Sequence, residues 1–431
     1  MSISQSKKTN LFGQLYFQVL VGTVLGIAVG YFYPTFGESL KPLGDAFIKL
    51  IKMLLAPIIF ATVVTGIAKM GNLKEVGRVG LKALIYFEVV STFALLIGLV
   101  VANLVKPGAG MNIDPTTLDT SALTAYNTVD KPPGVVSFLL NIIPTSFADP
   151  FVTGNMLQII LLAVLFGIAM AQLRDRGKLV VDLLDTILHA LFGIVRFVMY
   201  LAPLAAFGAM AFTVGKYGIG KLTGFGQLIF CVYFASAIFI AVVLGLISYL
   251  NGVSLWKFLK YFKDEILVTF GTSSTEVVLP RMMLKLEQLG CAKPVVGLVL
   301  PAGYTFNLDG GSIYITMGAL FIAQATNTSL TLGDQLIVLG VALLTSKGSG
   351  GVAGAGFVAL AATLSSLHQI PAAGLALILS VDRLINPARA VTNLIGNGIA
   401  TITVARWEKA FDEKQAADVL DGKADILPAD L

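Results

Sequence analysis

Long apolar runs alternate with short polar segments along this chain of 431 residues. An α-helix needs about 20 consecutive apolar residues to cross the hydrocarbon core of a bilayer. Hydrophobic residues make up 56% of the chain and charged residues 13%, whereas a soluble domain has roughly 25% charged residues. The apolar runs lie at approximately 11–32, 42–68, 81–105, 135–172, 179–215, 224–250, 294–325 and 372–405. The pattern predicts an all-α polytopic membrane protein with eight transmembrane helices.

Four polar stretches interrupt the apolar runs in the second half of the chain. They are GTSST from Gly271, NLDGG from Asn307, SKGSGGVAGAG from Ser346, and DRLINPARAVTNLIGNG from Asp382. Hydrocarbon does not solvate polar groups, so such stretches lie at membrane depth only where protein or water surrounds them. We therefore expect them to form a polar site inside the membrane.

Two of these stretches form the tips of apolar segments whose limbs are too short to cross the bilayer. The first segment, at 266–279, carries GTSSTE, and the second, at 336–364, carries SKGSGGVAGAG. This arrangement is typical of a re-entrant hairpin whose tip is buried in protein. Counting spans places the hairpins, at approximately 258–290 and 333–370, on opposite faces of the membrane, as in transporters with inverted repeats. For the second segment, a Gly-rich helix-packing face is the alternative.

The positions of lysine and arginine predict the orientation, because cytoplasmic loops carry the excess of positive charge. With the N-terminus inside, the clusters around Arg78 and Arg176 fall on the cytoplasmic side. We therefore expect a cytoplasmic N-terminus at 1–10, a single membrane domain at 11–410, and a cytoplasmic tail at 411–431. The mixed charges of the tail predict a frayed or disordered end.

The cysteine and histidine content argues against a metal or redox site. Cys231, Cys291, His189 and His368 lie far apart in the sequence, so they predict neither a disulfide framework nor a metal cluster. We expect no cofactor. The basic residues occupy short loops between apolar runs, so we expect no nucleic-acid partner.

A membrane-embedded hydrolase with Ser273 or Ser274 as nucleophile is one alternative function. Such a nucleophile needs a base within hydrogen-bond reach, and neither His189 nor His368 lies in a motif that suggests one. We therefore expect that the protein is not an enzyme. An anion channel is a further alternative, although hairpins that open on both faces favour alternating access.

Several long motifs of this chain are similar to those of one family. They include LYFQVLVGTVLGI from Leu15, KPLGDAFIKLIKMLLAPIIFATVVTGIA from Lys41, YFEVVSTFALLIGLV from Tyr86, VKPGAGMNIDPTTLD from Val105, and GLVLPAGYTFNLDGGSIYITM from Gly297. Over about residues 10–410 the chain resembles the dicarboxylate/amino acid:cation symporters, the family of the glutamate transporters. Within that family it is most similar to the bacterial aerobic C4-dicarboxylate carriers.

The resemblance implies an elevator-type symporter that assembles as a homotrimer in the bacterial inner membrane. Spans one, two, four and five would form a scaffold, here approximately 11–70 and 134–215. Spans three, six, seven and eight, with both hairpins, would form a transport unit, here approximately 81–105 and 224–407. That unit would carry the substrate across the lipid bilayer, with the second hairpin as the external gate.

Arg389 lies in the middle of the last predicted span, where an isolated guanidinium is costly and needs a partner. Its planar fork suits bidentate pairing with a carboxylate, although a structural pair with a nearby aspartate is the alternative. Asn393 follows by four residues and shares the same helical face. The resemblance implies that Arg389 holds the distal carboxylate of the substrate and Asn393 the other carboxylate.

Backbone amides at the two hairpin tips would complete the substrate site, since small residues let N–H groups approach an anion. The tip residues are Ser273, Ser274, Thr275, Ser349, Gly350 and Gly351. A serine-rich tip that only caps a helix is the alternative for the first. We assign Arg383 to gating or coupling near the substrate, with a structural ion pair to Asp382 or Glu276 as the alternative.

Asn386 favours C4-dicarboxylates such as succinate, fumarate and malate over acidic amino acids. By the resemblance, it stands where amino-acid carriers have the aspartate that binds the substrate ammonium group, and it offers no charge. Gly311 replaces the threonine that usually closes the NLDGT motif. The missing hydroxyl beside the substrate would alter affinity or preference.

Two further departures favour protons over sodium as the coupling ion. Sodium-coupled relatives have an aspartate where this chain has Asn397, and a threonine of their third-span sodium site is matched by Val90. A hard cation prefers several oxygen ligands with a carboxylate among them. Asp309, with Asn307 in the same NLDGG motif, retains the cation-site acid of the family. Sodium-coupled uptake of glutamate or aspartate therefore remains the alternative.

Carboxyl groups at membrane depth are harder to ionise and can shuttle protons. Glu88, Asp309 and Glu276 are the candidate proton carriers, and we assign Asp382 to coupling with them. The sequence does not distinguish among these four acids.

Overall fold

The computed structural model describes residues 15–70, 73–117, 140, 142–217, 220–346, 355–365, 369–379 and 381–423. Within these ranges the chain is helical, and its only β-type pairing is an isolated bridge between Cys291 and Phe411. The first helices are α1 Leu15–Phe32, α2 Pro34–Ser39, α3 Lys41–Met70, α4 Leu73–Val105, α5 Asp149–Thr153, α6 Met156–Leu173, α7 Asp175–Met199 and α8 Ala202–Tyr217. They are followed by α9 Gly220–Ile238, a π-helical segment Phe239–Leu244, α10 Gly245–Leu250, α11 Leu255–Tyr261, α12 Lys263–Thr272, α13 Leu279–Gln288 and α14 Lys293–Phe306. The last are α15 Asp309–Ala325, α16 Leu332–Thr345, α17 Ala355–Ser365, α18 Leu375–Leu379, α19 Asp382–Trp407 and α20 Glu413–Leu420.

The all-helical fold and its apolar helices are those of a membrane protein. In the described residues, Val76–Val105 and Phe225–Leu250 are long and apolar enough to cross a membrane. Arg176–Met199 and Ala202–Lys216 give a third span when they are counted together. The total of eight spans remains a prediction.

Several predicted spans are broken rather than continuous. The run at 179–215 bends by 53° between α7 and α8, next to Pro203, which cannot donate a backbone hydrogen bond to the preceding turn. The run at 294–325 divides at Asn307 and Leu308 into α14 and α15. This second break places Asn307 and Leu308 between the two helices and Asp309–Gly311 in the first turn of α15, where backbone N–H groups remain available to partners.

The segment predicted as the first hairpin folds back on itself. Helices α12 and α13 are joined through Ser273–Thr275 and a 3-10 turn at Glu276–Val278. Across the two limbs, buried Glu265 pairs with Lys285 at 2.8 Å and with Arg281 at 3.1 Å. A buried carboxylate needs such charged partners, so the pairs hold the limbs together.

The segment predicted as the second hairpin also folds back. Its limbs are α16 and α17, and the Oγ1 atoms of Thr345 and Thr363 lie 2.6 Å apart. The tip, at 347–354, lies outside the described residues.

The helices pack into two groups. In the first group, α1, α2 and α3 contact α8, and α3 also contacts α6 and α7. In the second group, α4 contacts α9, α14, α15, α16 and α19, and α19 also contacts α12, α14 and α15. The groups meet where α12 packs on α1 and α8, and where α14 packs on α3 and α6. The polar motifs of the sequence lie in the second group.

The prediction of a disordered tail is wrong for residues 411–423. Asp412 caps α20 by accepting a hydrogen bond from Gln415 N at 2.9 Å, and Ala416 and Val419 are buried. Upstream, Arg78 bonds to the carboxylate of Glu408, and this bond lowers the pKa of Glu408. The charges that suggested disorder are therefore used in pairing and capping.

Candidate functional site

The guanidinium of Arg389 lies at the centre of a buried polar cluster on α19. Its Nη1 atom donates to Asp382 Oδ1 at 2.8 Å, and its Nε atom donates to Asn386 Oδ1 at 3.2 Å. Its Nη2 atom also donates to Asn386 Oδ1. The three side chains share one face of α19 because they are three and four residues apart. The pair with a nearby aspartate, which was the alternative interpretation of Arg389, is therefore present in the structure, and Asp382 is the partner.

The ring of Tyr314 covers one face of this guanidinium. The Arg389 Cζ atom lies 4.2 Å from the ring centroid, which is a cation–π geometry. Tyr314 follows the NLDGG motif on α15 and is fully buried. This contact was not predicted from the sequence, although an aromatic residue three positions after the polar NLDGG motif is a signal that could have suggested it.

The side-chain amide of Asn393 is oriented by the backbone of α15. Its Oδ1 atom accepts from Gly310 N at 2.8 Å and from Gly311 N at 3.4 Å. Because two N–H groups point at one atom, that atom must be the oxygen. The Nδ2 group of Asn393 donates to no described residue and is the part of the amide that can bind an anion.

A second polar cluster lies beside the first. Asn307 Nδ2 donates to Asp309 Oδ2 at 3.0 Å and to Asn397 Oδ1 at 3.2 Å. All three side chains are buried. The predicted coupling residues Asp309, Asn307 and Asn397 are thus in one place, and Gly310 connects this cluster to Asn393 through the backbone.

The tip of the first hairpin reaches the Arg389 cluster. Ser273 has a left-handed backbone with φ of 55°, and its carbonyl accepts from Asn386 Nδ2 at 3.0 Å. A residue other than glycine adopts this conformation at a cost, which the surrounding contacts must offset. Ser274 and Thr275 are buried beside it.

Hairpin two approaches Arg389 through Gly356, near the start of α17. A Cβ atom at Gly356 would lie 2.7 Å from Arg389 Nη1. The predicted tip residues Ser349, Gly350 and Gly351 lie outside the described residues.

The other predicted residues lie elsewhere or are only partly described. Glu88 is not in this site, because its side chain is exposed on α4, whereas its neighbour Phe87 is buried. Glu276 is buried in the 3-10 turn after the first hairpin tip, and this turn packs on α3. Arg383 lies in the first turn of α19, but its side chain is outside the described part of the structure.

Gly310 allows α15 and α19 to approach each other closely. A Cβ atom there would lie 2.4 Å from the Arg389 carbonyl oxygen and 2.7 Å from its Cα atom, and backbone atoms cannot move aside. We expect Gly310→Ala to displace Arg389 and raise the KM for substrate by about tenfold, which corresponds to about 1.4 kcal/mol. The measurement is uptake by purified protein in proteoliposomes.

Gly311→Ala is the matched control for this prediction. A Cβ atom at Gly311 meets only the Leu308 side chain, at 3.3 Å. We expect near-parental thermal stability for this variant and a smaller change in KM than for Gly310→Ala, because its Cβ atom meets no backbone atom. Equal KM values for the two variants would contradict the argument from close approach.

Comparison with known proteins gives a consistent result over nearly the whole chain. Residues 15–407 match the profile of the sodium:dicarboxylate symporter family. A C4-dicarboxylate transport protein of Anaeromyxobacter sp. (strain K) is 60% identical over 408 residues, which cover 95% of this chain and 93% of the relative. One of Serratia proteamaculans (strain 568) is 56% identical over 416 residues, covering 96% of this chain and 97% of the relative. The chain therefore belongs to the sodium:dicarboxylate symporter family.

Proposed function

We propose that this protein imports C4-dicarboxylates such as succinate, fumarate and malate across the bacterial inner membrane by proton symport. Its family and its relatives are transporters, not enzymes, so the serine hydrolase alternative is rejected. The observation that supports the substrate class best is the set of hydrogen-bond donors around Arg389. The coupling ion and the mechanism are parts of the proposal.

Arg389 keeps donors for a carboxylate. A guanidinium has five N–H groups, and Asp382 and Asn386 accept from three of its nitrogen atoms. Two N–H groups, one on Nη1 and one on Nη2, are therefore not used by Asp382 or Asn386. Arg389 is only 4% exposed, and a charge-assisted hydrogen bond is stronger where water is excluded.

Asn393 supplies the second donor group. Its Nδ2 group lies one helical turn beyond Arg389, about 6 Å along the axis of α19 at 1.5 Å per residue. A dicarboxylate that lies along this face presents one carboxylate to each residue. The tips of the two hairpins would cover the substrate, with Ser273, Ser274 and Thr275 on one side and residues 349–351 on the other.

Asn386 explains why a dicarboxylate fits better than an acidic amino acid. Its Oδ1 atom accepts from Arg389 and its Nδ2 group donates to the Ser273 carbonyl. Both the amide oxygen and the hairpin carbonyl are therefore engaged by groups of the protein. An ammonium group has three donors, whereas the Asn386 amide oxygen already accepts two bonds and the Ser273 carbonyl accepts one, so few acceptor sites remain here.

The coupling proposal rests on the Asp309 cluster. Asp309 is fully buried, and the hydrogen bond to its Oδ2 atom comes from the neutral amide of Asn307. Burial disfavours the ionised form of a carboxyl group. A proton on Asp309 would be linked to substrate binding through Gly310 and Gly311, whose amides hold Asn393. Val90 and Asn397, which is also buried, add no carboxylate that would favour sodium.

For the architecture, we propose eight spans with two opposed re-entrant hairpins, both termini cytoplasmic, and an elevator mechanism in a homotrimer. The first group of helices, α1–α3 and α6–α8, would be the scaffold. The second group, which holds the site, would be the moving transport unit. The fold-back contacts of both hairpins and the separate packing of the two groups support this division.

Uptake of radiolabelled succinate into proteoliposomes tests the function and the coupling together. With an inward proton gradient and no sodium, we expect accumulation that unlabelled fumarate and malate inhibit and aspartate does not. The membrane potential is held constant with potassium and valinomycin. Full uptake driven by a sodium gradient alone would contradict proton coupling. Uptake of aspartate in preference to succinate would favour the sodium-coupled amino-acid alternative.

A further inference from the structure

We propose that the ion pair between Asp185 and Lys293 is a latch between the two groups of helices, and that it favours one position of the transport unit over the other. This inference rests on the proposed function, because it requires a moving unit and a scaffold. Asp185 belongs to α7 of the scaffold group and Lys293 begins α14 of the transport group. Neither residue belongs to the substrate site.

Lys293 and Asp185 are close enough to form a hydrogen-bonded ion pair. Lys293 Nζ donates to Asp185 Oδ1 at 2.8 Å, and the two side chains are 25% and 28% exposed. One turn along α7, His189 Nδ1 donates to the backbone carbonyl of Asp185 at 2.7 Å. The partial exposure means that water can take over both charges when the pair opens.

The pair is distinctive because it crosses between the groups. The other ion pairs in which both side chains are described join residues of the same group or of its C-terminal extension. They are Lys41–Asp45, Arg78–Glu408, Lys82–Glu408, His189–Asp185, Lys257–Asp421, Arg281–Asp264, Arg281–Glu265, Lys285–Glu265, Arg389–Asp382, Arg406–Glu413 and Lys423–Asp421. Asp185–Lys293 is thus the one described ion pair that a displacement of the groups would break.

Part of the contact between the groups is made by small residues and close backbones. A Cβ atom at Gly66 of α3 would lie 3.0 Å from Pro294, and one at Gly271 of α12 would lie 2.8 Å from Ala206 Cβ. Surfaces of small residues carry few side chains that interlock, and apolar contact has no preferred direction. Such a surface can form equivalent contacts after a shift, whereas an ion pair weakens as its charges separate.

Lys293 is unusual for its place in α14. It is the first residue of the helix, where the helix dipole disfavours a positive charge. Asp185 supplies the compensating negative charge in the position observed here. If the unit moves away from α7, Lys293 loses that compensation, so the pair adds a bias that depends on position.

The test measures the two positions directly in the full-length protein. Spin labels are attached to cysteines at Lys178 on α7 and Leu332 on α16, which are exposed. Labelled subunits are diluted with unlabelled ones, so that pulsed EPR in proteoliposomes gives the distance between the two labels of one subunit. Cys231 and Cys291 are replaced with serine if they react. We expect two distances, one for each position of the transport unit. Neutralisation by Asp185→Asn or Lys293→Gln should change the ratio of the two populations by about two- to fivefold, the range for a partly exposed pair.

A double variant that exchanges the charges of Asp185 and Lys293 distinguishes the loss of a latch from a folding defect. The double variant Asp185→Lys with Lys293→Asp is expected to return the ratio of the two populations towards that of the parent. Turnover of succinate should change with the ratio, while its KM stays within about twofold, because the pair lies outside the substrate site. Asp421→Asn is the matched control: Asp421 is as exposed as Asp185 but pairs within the transport group.

The outcomes distinguish the latch from the function on which it rests. If the parent shows two distances and transports succinate, but both neutral variants keep the parental ratio of populations, the latch proposal is wrong. The elevator proposal is then unaffected. An equal shift in Asp421→Asn would also overturn the latch, because the effect would then be one of surface charge. If an actively transporting parent shows a single distance under every condition, both the elevator and the latch are wrong.

Discussion

Replacement of Arg389 with alanine is expected to abolish measurable uptake of succinate. The change removes the guanidinium that would bind a substrate carboxylate, and it leaves Asp382 buried without the partner that lies 2.8 Å away. Loss of one member of a buried charged pair costs roughly 2–5 kcal/mol, and each 1.4 kcal/mol is about tenfold in affinity. We therefore expect at least about a 30-fold loss of affinity, measured as binding of succinate by calorimetry and as uptake in proteoliposomes.

Arg389→Lys is the informative companion variant. It keeps the charge beside Asp382 but loses the planar fork that contacts Asn386 through two nitrogen atoms. We expect an intermediate affinity with folding close to that of the parent. Parental affinity in Arg389→Ala, in protein that remains monodisperse, would refute the substrate role and leave the ion pair with Asp382 as purely structural.

Replacement of Asn386 with aspartate is expected to weaken succinate uptake and to produce uptake of aspartate. The new carboxylate would take the place of the Oδ1 atom that accepts from Arg389, so it would compete with the substrate for the guanidinium. The change also removes the Nδ2 group that donates to the Ser273 carbonyl. A charged acceptor and a free carbonyl together are what an ammonium group needs. We expect the KM for succinate to rise by about tenfold or more, on the order of 1.4 kcal/mol.

Asn393→Asp is the control for this change of substrate. It also adds a carboxylate to the same face of α19, but the backbone amides of Gly310 and Gly311 already bond to this side chain. We expect it to lose succinate uptake without gaining aspartate uptake. If Asn386→Asp transports no aspartate, that position does not set the substrate class by itself. Competition by unlabelled aspartate against labelled succinate provides a second measurement.

The ion pair with Asp382 affects how Arg389 could select a substrate. A guanidinium at membrane depth needs compensation by an opposite charge, and Asp382 supplies it from the same helix. A dicarboxylate bound as proposed would therefore add its carboxylate to an arginine that is already paired. The remaining N–H groups, rather than the net charge, would then determine which substrates bind.

Helical periodicity explains which parts of the site the sequence could predict. Arg389 and Asn393 share a face of α19 because they are four residues apart, and this holds for any α-helix. The burial of the polar stretch Ser273–Thr275 was also predictable, because polar backbone at membrane depth must be surrounded by protein or water. Both arguments use only local chain geometry and the properties of hydrocarbon.

Contacts between distant segments were beyond such arguments. Asn386 and Ser273 are 113 residues apart, and Asn307 and Asn397 are 90 apart. No periodicity relates such positions. The outward direction of Glu88 and the docking of α20 likewise depend on which neighbours cover a helix face.

By itself, the sequence determined a helical membrane protein with an arginine and an asparagine on one face of its last long helix, because composition and period are local properties. Only the tertiary structure decided that Asp382 pairs with Arg389, that Asn386 bonds to the first hairpin, and that Asn393 turns its Nδ2 group away from Gly310. The reason is that a buried polar atom bonds to whichever donor or acceptor the packing of helices brings within reach.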